Sequence, residues 1–267
     1  MTRTLIAAVA AGLLCLTVGT RTLPGQAPVL GYDDTPMQPN GRWRVHDPHR
    51  PHPRSVTPGR APDDAPSDAT VLLGGDGDLS HWKMRNGAGM SWKVDGGVLE
   101  SAKGDIETKD SFTDFQLHIE WATPTPPKGD SQGRGNSGVF LLGVFEVQVL
   151  DSFNNPTYSD GQAAAMYGQF PPLVNASRGP GQWQSYDIVF TAPRFEGSQL
   201  TKPAVATVFH NHVVVHNATA FWGATAHKRI GPYTPSMNRG PIALQDHENP
   251  VHFRNIWVRA LTDYDVD

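Results

Sequence analysis

The stretch FEVQVLD, residues 145–151, decides the fold class of this chain. Apolar and polar side chains alternate along it, which is the period-two pattern of a β-strand whose two faces differ. The side chains predicted to face a core are Phe145, Val147 and Val149. Glu146 and Gln148 then project together from the opposite face, and Asp151 follows where the strand ends. Such a polar group is rarely needed for packing and suits the floor of a groove that binds a sugar.

Short alternating segments recur along the rest of the chain. The segment FQLHIEW, residues 115–121, alternates in the same way, with His118 among the side chains predicted to point outward. Asp95-Gly96-Gly97 lies between two apolar pairs and predicts a hairpin. Further strands are predicted at residues 185–190, 204–209, 213–215, 242–244 and 251–261, and no segment predicts a helix of three turns. This pattern favours an all-β fold in which two antiparallel sheets pack face to face.

Composition and motifs exclude several classes of function. The 267 residues carry a formal net charge of −4, so neither a nucleic-acid partner nor a basic membrane-binding patch is expected. The sequence contains no phosphate-binding loop, dinucleotide fingerprint, Gly-x-Ser-x-Gly elbow or cysteine/histidine zinc motif. A nucleotide cofactor and a serine-hydrolase mechanism are therefore not predicted.

The N-terminus has the layout of a secretory signal. An apolar run over residues 5–18 follows a basic residue and is too short to span a bilayer. We predict a signal peptide over residues 1–20, ending as late as residue 27, a secreted or periplasmic location, and no membrane span in the mature chain. Cys15 could anchor a lipoprotein, but two leucines precede it where small residues are needed, so simple cleavage is favoured.

Two further regions follow the predicted signal. Ten of the 23 prolines lie within residues 21–68. We therefore predict a Pro-rich extended arm or linker over residues 21–69, which buries no core of its own and is dispensable for folding. Residues 70–262 are predicted to form the β-sandwich.

Polar residues on or near the predicted strands are candidates for a site. The groups suited to moving protons are Glu146, Asp151, Asp246 and His247. The groups suited to binding a polar substrate are Arg134, Asn136, Gln148, Tyr167, Gln245 and Arg254. Simpler interpretations stay open at this stage. Arg254 could pair with a structural carboxylate, Tyr167 could belong to the core, and Glu146 could be a solvated acid on a half-exposed strand.

Three histidines have the spacing of metal ligands. His210 and His212 flank Asn211, which is predicted to be a hairpin tip, and His216 follows. Solvent-exposed turn histidines are the favoured interpretation, so no metal ligands are assigned from this spacing.

Four motifs together resemble the 3-keto-disaccharide hydrolase family. They are NSGVFL (136–141), FEVQVLD (145–151), GPIALQDH (240–247) and VHFRNIWV (251–258). The resemblance covers residues 70–262 and implies a concanavalin A-like jelly-roll sandwich, related in shape to laminarinases and legume lectins. It also implies action on glycosides whose sugar ring is already oxidised at C3. Laminarinase-type hydrolases carry Glu-x-Asp-x-x-Glu on the matching strand, whereas this chain has Glu-x-Gln-x-x-Asp.

That departure favours elimination over two-carboxylate hydrolysis. A ketone at C3 acidifies the C2 proton, so a base can remove it, the glycosidic oxygen leaves from C1, and water then adds. We expect Glu146 or Asp151 as the base, Arg134 or a bound divalent cation at the enolate oxygen, and Asp246 or His247 as proton donor. No cofactor is otherwise predicted, and a sugar 3-dehydrogenase is expected upstream. The alternatives are a non-catalytic carbohydrate-binding module and a laminarinase-like retaining glycoside hydrolase.

Overall fold

A computed structural model describes residues 30–265 of the chain. The predicted signal peptide lies outside the described residues. The described part falls into two units, residues 30–53 and residues 54–265. The first is a short, turn-rich segment with one isolated bridge between Met37 and Arg44. None of the helices in the described part is long and apolar enough to cross a membrane.

The second unit is built almost entirely from strands. In chain order they are β1 (Thr70–Leu73), β2 (Trp82–Met84), β3 (Lys93–Asp95), β4 (Val98–Glu100), β5 (Ile106–Thr108), β6 (Phe115–Ala122), β7 (Ser137–Leu141), β8 (Phe145–Val149), β9 (Gln184–Thr191), β10 (Arg194–Glu196), β11 (Gln199–Lys202), β12 (Val205–His210), β13 (Val213–Ala220), β14 (Ala224–Ala226), β15 (Arg229–Gly231), β16 (Ala243–Leu244) and β17 (His252–Ala260). One-turn 3₁₀ helices lie at Ser131–Gly133, Ser159–Gly161 and Pro235–Asn238.

Two antiparallel sheets contain most of these strands. The larger has eight strands in the order β13-β12-β9-β6-β17-β4-β3, with β1 also paired to β17. The smaller has five strands in the order β2-β5-β16-β7-β8. The pairs β10–β11 and β14–β15 form separate two-stranded ribbons. The predicted all-β, concanavalin A-like jelly-roll sandwich is confirmed.

The core lies between the two sheets. Phe145 of β8 and Phe190 of β9 meet across the layers with ring centroids 5.9 Å apart, and both are fully buried. Tyr186 of the larger sheet donates a hydrogen bond to the Gln148 carbonyl of the smaller sheet, at 2.7 Å. The predicted faces of β6 and β8 are correct, because their apolar side chains pack into this core.

Residues 54–69 lie against the outer face of the larger sheet. The Asp63 carbonyl accepts hydrogen bonds from the Asn255 side chain and from the Trp257 indole, each at 3.0 Å. Asp68 pairs with Arg259 at 2.7 Å. The segment is rich in proline, as the sequence indicates, but this part of the predicted arm is bound to the sandwich.

Candidate active site

A polar pocket of about 330 Å³ opens on the face of the five-stranded sheet that points away from the core. β7 and β8 form its floor, and β14 and the segment after β16 contribute walls. Its lining residues are Asn136, Phe140, Glu146, Gln148, Tyr167, Thr225, Ala226, His227, Gln245 and His247. This volume is near the lower limit of small-molecule sites, which span about 300–1,000 Å³. Six of the ten residues predicted from sequence come together here.

Glu146 lies on the pocket floor and is almost completely buried, with 4% of its surface exposed. Its backbone N–H donates to Thr225 Oγ1 at 3.0 Å, which ties the pocket wall to β8. Gly138 of β7 makes room for the carboxyl group, since an added Cβ there would lie 2.7 Å from Glu146 Oε1. The local sequence therefore positions one carboxyl group under the pocket.

The surroundings of Glu146 favour its neutral form. Burial raises the pKa of this carboxyl from 4.5 to about 8, and the negative charge of Asp105 adds to the rise. A group with a pKa near the working pH can both accept and donate a proton during a reaction. Glu146 is therefore suited to acid–base chemistry.

The side chain of Gln148 lies against the carboxyl group of Glu146 on the pocket floor. One end of its amide lies 2.9 Å from Glu146 Oε1 and 3.0 Å from the Ser137 carbonyl. The other end lies 3.0 Å from Gln132 Oε1 and 3.4 Å from Asn136 Oδ1. If Glu146 were ionised, all four neighbours would be acceptors, and the amide oxygen would meet no donor in either orientation.

A proton on Glu146 removes one of the two unfavourable contacts of the Gln148 oxygen, and the Ser137 carbonyl remains 3.0 Å from it. The protonated carboxyl donates to the Gln148 oxygen, while the Gln148 nitrogen donates to Gln132 and Asn136. Ionisation of Glu146 instead favours the reversed amide, whose nitrogen would donate to Glu146 and to the Ser137 carbonyl. The orientation of the Gln148 amide is thus coupled to the proton on Glu146.

A hydrogen-bonded chain of aromatic groups lies at the pocket wall. The Tyr167 hydroxyl is 2.7 Å from the Tyr158 hydroxyl and 3.2 Å from His227 Nδ1. Burial, followed by the contact with Tyr158, raises the pKa of Tyr167 well above its usual value of 10. The phenol therefore keeps its proton at physiological pH and can donate a hydrogen bond to a substrate oxygen.

The segment after β16 brings Gln245 and His247 to the pocket. Ser137 Oγ donates to the Gln245 carbonyl at 2.6 Å, and the Gln245 N–H donates to the Gly138 carbonyl at 3.0 Å. These bonds fix the backbone beside Glu146. His247 is exposed at the pocket mouth, where its imidazole can reach a bound molecule.

Arg134 and Asp151 lie in a neighbouring cavity of about 460 Å³ rather than in the pocket. Arg134 Nε donates to Asp151 Oδ2 at 2.8 Å, and Phe153 N–H donates to Asp151 Oδ1 at 3.2 Å. Asp151 is 1% exposed, so its carboxylate is committed to these structural bonds. The pocket around Glu146 therefore contains neither Asp151, the second candidate base, nor Arg134, the candidate stabiliser of the enolate.

Two other candidates also lie elsewhere. Asp246 accepts hydrogen bonds from the N–H groups of Gly104 and Glu248, each at 2.8 Å, and so holds its loop. Arg254 pairs with Glu120 at 2.6 Å and stacks 4.0 Å from the Trp183 ring, as part of the larger sheet. The simpler interpretation of Arg254 as a structural partner fits this geometry, and we assign neither residue to the pocket.

The prediction of exposed turn histidines is wrong for two of the three. His210 is buried and lies 2.9 Å from Gln184 Oε1, while His216 is buried and lies 2.9 Å from the Ala164 carbonyl. Only His212 is exposed. Long-range contacts bury the other two, and local sequence does not reveal them.

Several residues at the site carried no signal in the sequence. Thr225 and His227 come from the ribbon β14–β15, which is too short to show a clear alternation. Gln132 follows a Pro-rich loop, and its side-chain oxygen accepts a hydrogen bond from Gln148, which lies 16 residues later in the sequence. Their contribution depends on how distant segments meet.

A preformed group of three metal-ligating side chains does not line the pocket in the part of the chain that the structure describes. The described residues contain such a group at Asp63, His118 and Asp187. His118 points to the opposite side of the sandwich from Glu146, because β6 and β8 turn their apolar faces towards each other.

The structure is a two-sheet β-sandwich with a polar pocket on its outer face, lined by hydroxyl, amide, imidazole and carboxyl groups. The chain belongs to the family described as the 3-keto-alpha-glucoside-1,2-lyase-like domain, whose profile matches residues 68–259. The resemblance stated from the four sequence motifs is therefore confirmed.

Individual proteins are similar to this chain. A Bacteroides thetaiotaomicron protein named 3-keto-disaccharide hydrolase is 25% identical over 218 residues, which is 68% of this chain and 71% of the relative. A solved structure from Parabacteroides distasonis ATCC 8503, named as a candidate glycosyl hydrolase, is 44% identical with a TM-score of 0.76, over 85% of this chain and 100% of its own. A second structure from that organism, 19% identical with a TM-score of 0.54 over 73% of this chain and 94% of its own, shares the fold. These likenesses support a glycosyl-hydrolase-like function.

Proposed function

We propose that this chain cleaves 3-keto-glycosides, 3-keto-disaccharides among them, by removing the C2 proton, eliminating the glycosidic oxygen and adding water. The observation that carries the proposal is the buried carboxyl of Glu146, whose pKa is raised to about 8 on the pocket floor. Family membership and the name of the Bacteroides relative support the substrate class.

The pocket offers a group for each step of this reaction. Glu146, in its ionised form, is the base for the C2 proton, which the neighbouring ketone makes acidic. Tyr167 keeps its proton, so it can donate a hydrogen bond to the enolate oxygen that forms at C3. His247, exposed at the mouth, is placed to protonate the leaving oxygen. His227 also lines this pocket and is an alternative to Tyr167 or to His247 in these two roles.

The carboxyl count argues against a retaining glycosidase. Such enzymes place two carboxyl groups about 5–5.5 Å apart on either side of the scissile bond. Among the described residues that line the pocket, Glu146 is the only one with a carboxyl group. The second acid predicted on this strand, Asp151, is held by Arg134 in the neighbouring cavity. A single base is sufficient for elimination.

The chemistry of the substrate also indicates which reaction must come before this one. A 3-keto-glycoside must be made by oxidising the C3 hydroxyl, so a sugar 3-dehydrogenase is expected to act before this chain. The apolar run at residues 5–18 supports the proposal of a secreted or periplasmic location. A divalent cation could further stabilise the enolate oxygen, and titration of the purified chain with Mg²⁺, Mn²⁺ and Zn²⁺ during turnover tests this.

The decisive experiment compares a 3-keto-glucoside with its unoxidised parent under identical conditions. We expect cleavage of the keto sugar alone, because the parent C2–H is not acidic enough for a side-chain base. A keto substrate deuterated at C2 should react more slowly or exchange its label with water. Glu146→Gln should lower kcat at least 100-fold. Glu248→Gln, which changes an exposed acid beside His247, should not. Cleavage of the parent with the C2 label retained would favour a conventional hydrolase, and binding without turnover would favour a binding module.

A further inference from the structure

A partly buried polar cluster lies where residues 54–69 meet the outer face of the larger sheet. Its centre is His118 of β6, which is fully buried although its side chain points away from the core. The Trp257 ring stacks on the imidazole, with centroids 5.3 Å apart and planes inclined by 16°. The sheet, the indole and the overlying segment together enclose the imidazole.

One carboxylate fixes the orientation of this imidazole. Asp187 of β9 places Oδ1 2.7 Å from His118 Nδ1. On the other side of the ring, Glu120 Oε1 lies 3.9 Å from Nε2. Asn255 Nδ2 lies nearer to that nitrogen, at 3.4 Å. Because Asp187 Oδ1 and His118 Nδ1 face each other directly, they can be bridged either by a proton or by a metal ion.

Asp63 brings a third carboxylate to the cluster from the overlying segment. Its Oδ1 atom is buried and has no hydrogen-bond partner among the described residues. Its backbone carbonyl is held by Asn255 and Trp257, so the residue is fixed in place. Asn255 has a positive φ of 46° at an irregularity in the pairing of β17 with β6, which turns its side chain towards this position.

The donor atoms are close enough to share one ion. One ligand atom each from Asp63, His118 and Asp187 lies within 4.8 Å of the other two. Two ligands at the usual 2.0–2.2 Å from Zn²⁺ are at most about 4.4 Å apart, so a small inward movement is enough for the most distant pair. Asp187 Oδ1 and His118 Nδ1, now 2.7 Å apart, would separate slightly as the ion replaces the proton between them. One imidazole nitrogen with two carboxylate oxygens is a donor set that Zn²⁺ accepts.

We propose that Asp63, His118 and Asp187 form a structural site for one divalent transition-metal ion, such as Zn²⁺, which fastens residues 54–69 to the larger sheet. The unpartnered Asp63 oxygen and the carboxylate-held imidazole carry this proposal. The site is independent of the proposed reaction, because both sheets lie between it and Glu146.

A proton is the competing occupant of the same cluster. Burial alone would lower the pKa of His118, but hydrogen bonds to Asp187 and Glu120 outweigh it and raise the pKa to about 9. An imidazolium could therefore sit among these carboxylates without any metal. Zn²⁺ binding to the full chain distinguishes the two hypotheses. A metal site predicts tight binding that depends on Asp63, and a proton alone does not.

The test uses the full chain, stripped with EDTA, dialysed and titrated with ZnSO4 by calorimetry and thermal melting at pH 7.5. We expect one tight site per chain, a rise in Tm of several degrees, and slower tryptic cleavage after Arg60, which is exposed in the overlying segment. Asp63→Asn should weaken the tight site at least tenfold. Asp64→Asn is the matched control, since Asp64 is exposed and its replacement keeps an acceptor for the Ala61 N–H.

Asp187→Asn is a second variant that retains an acceptor for the imidazole and should also weaken the tight site. Circular dichroism checks that each variant is folded. Weaker sites that persist in Asp63→Asn are assigned to exposed histidines. The proposal is overturned if wild type binds no Zn²⁺ tightly, or if Asp63→Asn binds it as tightly as wild type does. Either outcome would mean that the cluster holds a proton alone.

Discussion

Replacing Glu146 by glutamine should change the stability of this protein in a pH-dependent way. The substitution keeps the shape of the side chain and removes its ionisation. The folded-state pKa is about 8, against 4.5 for the free group, so the folded chain holds a proton that the unfolded chain has already released. Between these two values the free energy of unfolding of the wild type falls as pH rises.

The size of the effect follows from that shift. A rise in pKa from 4.5 to about 8 corresponds to about 5 kcal/mol. Burial supports a large effect, since Glu146 is only 4% exposed and water screens little of the penalty. A whole domain is stabilised by about 5–15 kcal/mol, so this one carboxyl removes a substantial part of the stability above pH 8.

The assay is urea unfolding of both proteins at pH 5, 6, 7, 8 and 9, followed by tryptophan fluorescence. We expect the two stabilities to agree within about 1 kcal/mol at pH 5, and Glu146→Gln to become more stable by several kcal/mol at pH 9. Glu196→Gln, which changes an exposed acid on β10, is the control and should give a flat difference. A flat difference for Glu146→Gln as well would refute the raised pKa, and with it the argument for acid–base chemistry at this position.

Four further predictions concern the packing and the ion pairs of the sandwich. Phe145→Ala should cost about 3–5 kcal/mol in urea unfolding, because the ring is fully buried against three aromatic neighbours; a loss below 1 kcal/mol would contradict this packing. Arg134→Ala should lower the free energy of unfolding by about 3–5 kcal/mol, since Asp151 is left buried without its cationic partner. Asp151→Asn should keep turnover within tenfold. Loss of all turnover in a folded Asp151→Asn protein would restore that acid to the mechanism. A chain beginning at Thr70 should melt at a lower temperature than one beginning at Arg54, because it lacks the bonds from Asp63 and Asp68; equal melting temperatures would show that residues 54–69 are dispensable.

Much of the sandwich was predictable because a strand reveals its two faces through local alternation. The side chains of β6 and β8 point where the period-two pattern places them. Exposure was not predictable in the same way. His118 points away from the core as expected, yet it is buried, because a Pro-rich segment with no periodicity covers it.

The site was predictable where its residues share one strand or one motif. Glu146, Gln148 and Asn136 meet because β7 and β8 are neighbouring strands. Arg134 and Asp151 are near them in sequence, but their mutual ion pair holds them in another cavity. Such a choice between partners depends on three-dimensional distances that spacing along the chain does not contain.

The position of β17 has a consequence for how the chain acquires its fold. This strand, residues 252–260, is the last in sequence, yet it lies in the interior of the larger sheet between β6 and β4, and it also pairs with β1. During synthesis on a ribosome, the edges of β1, β4 and β6 that pair with β17 therefore remain unpaired until nearly the whole domain has emerged. Such non-local pairing slows folding, and the unpaired strand edges can associate with other chains in the meantime. A nascent chain that stops before residue 252 should consequently be a favoured client of chaperones.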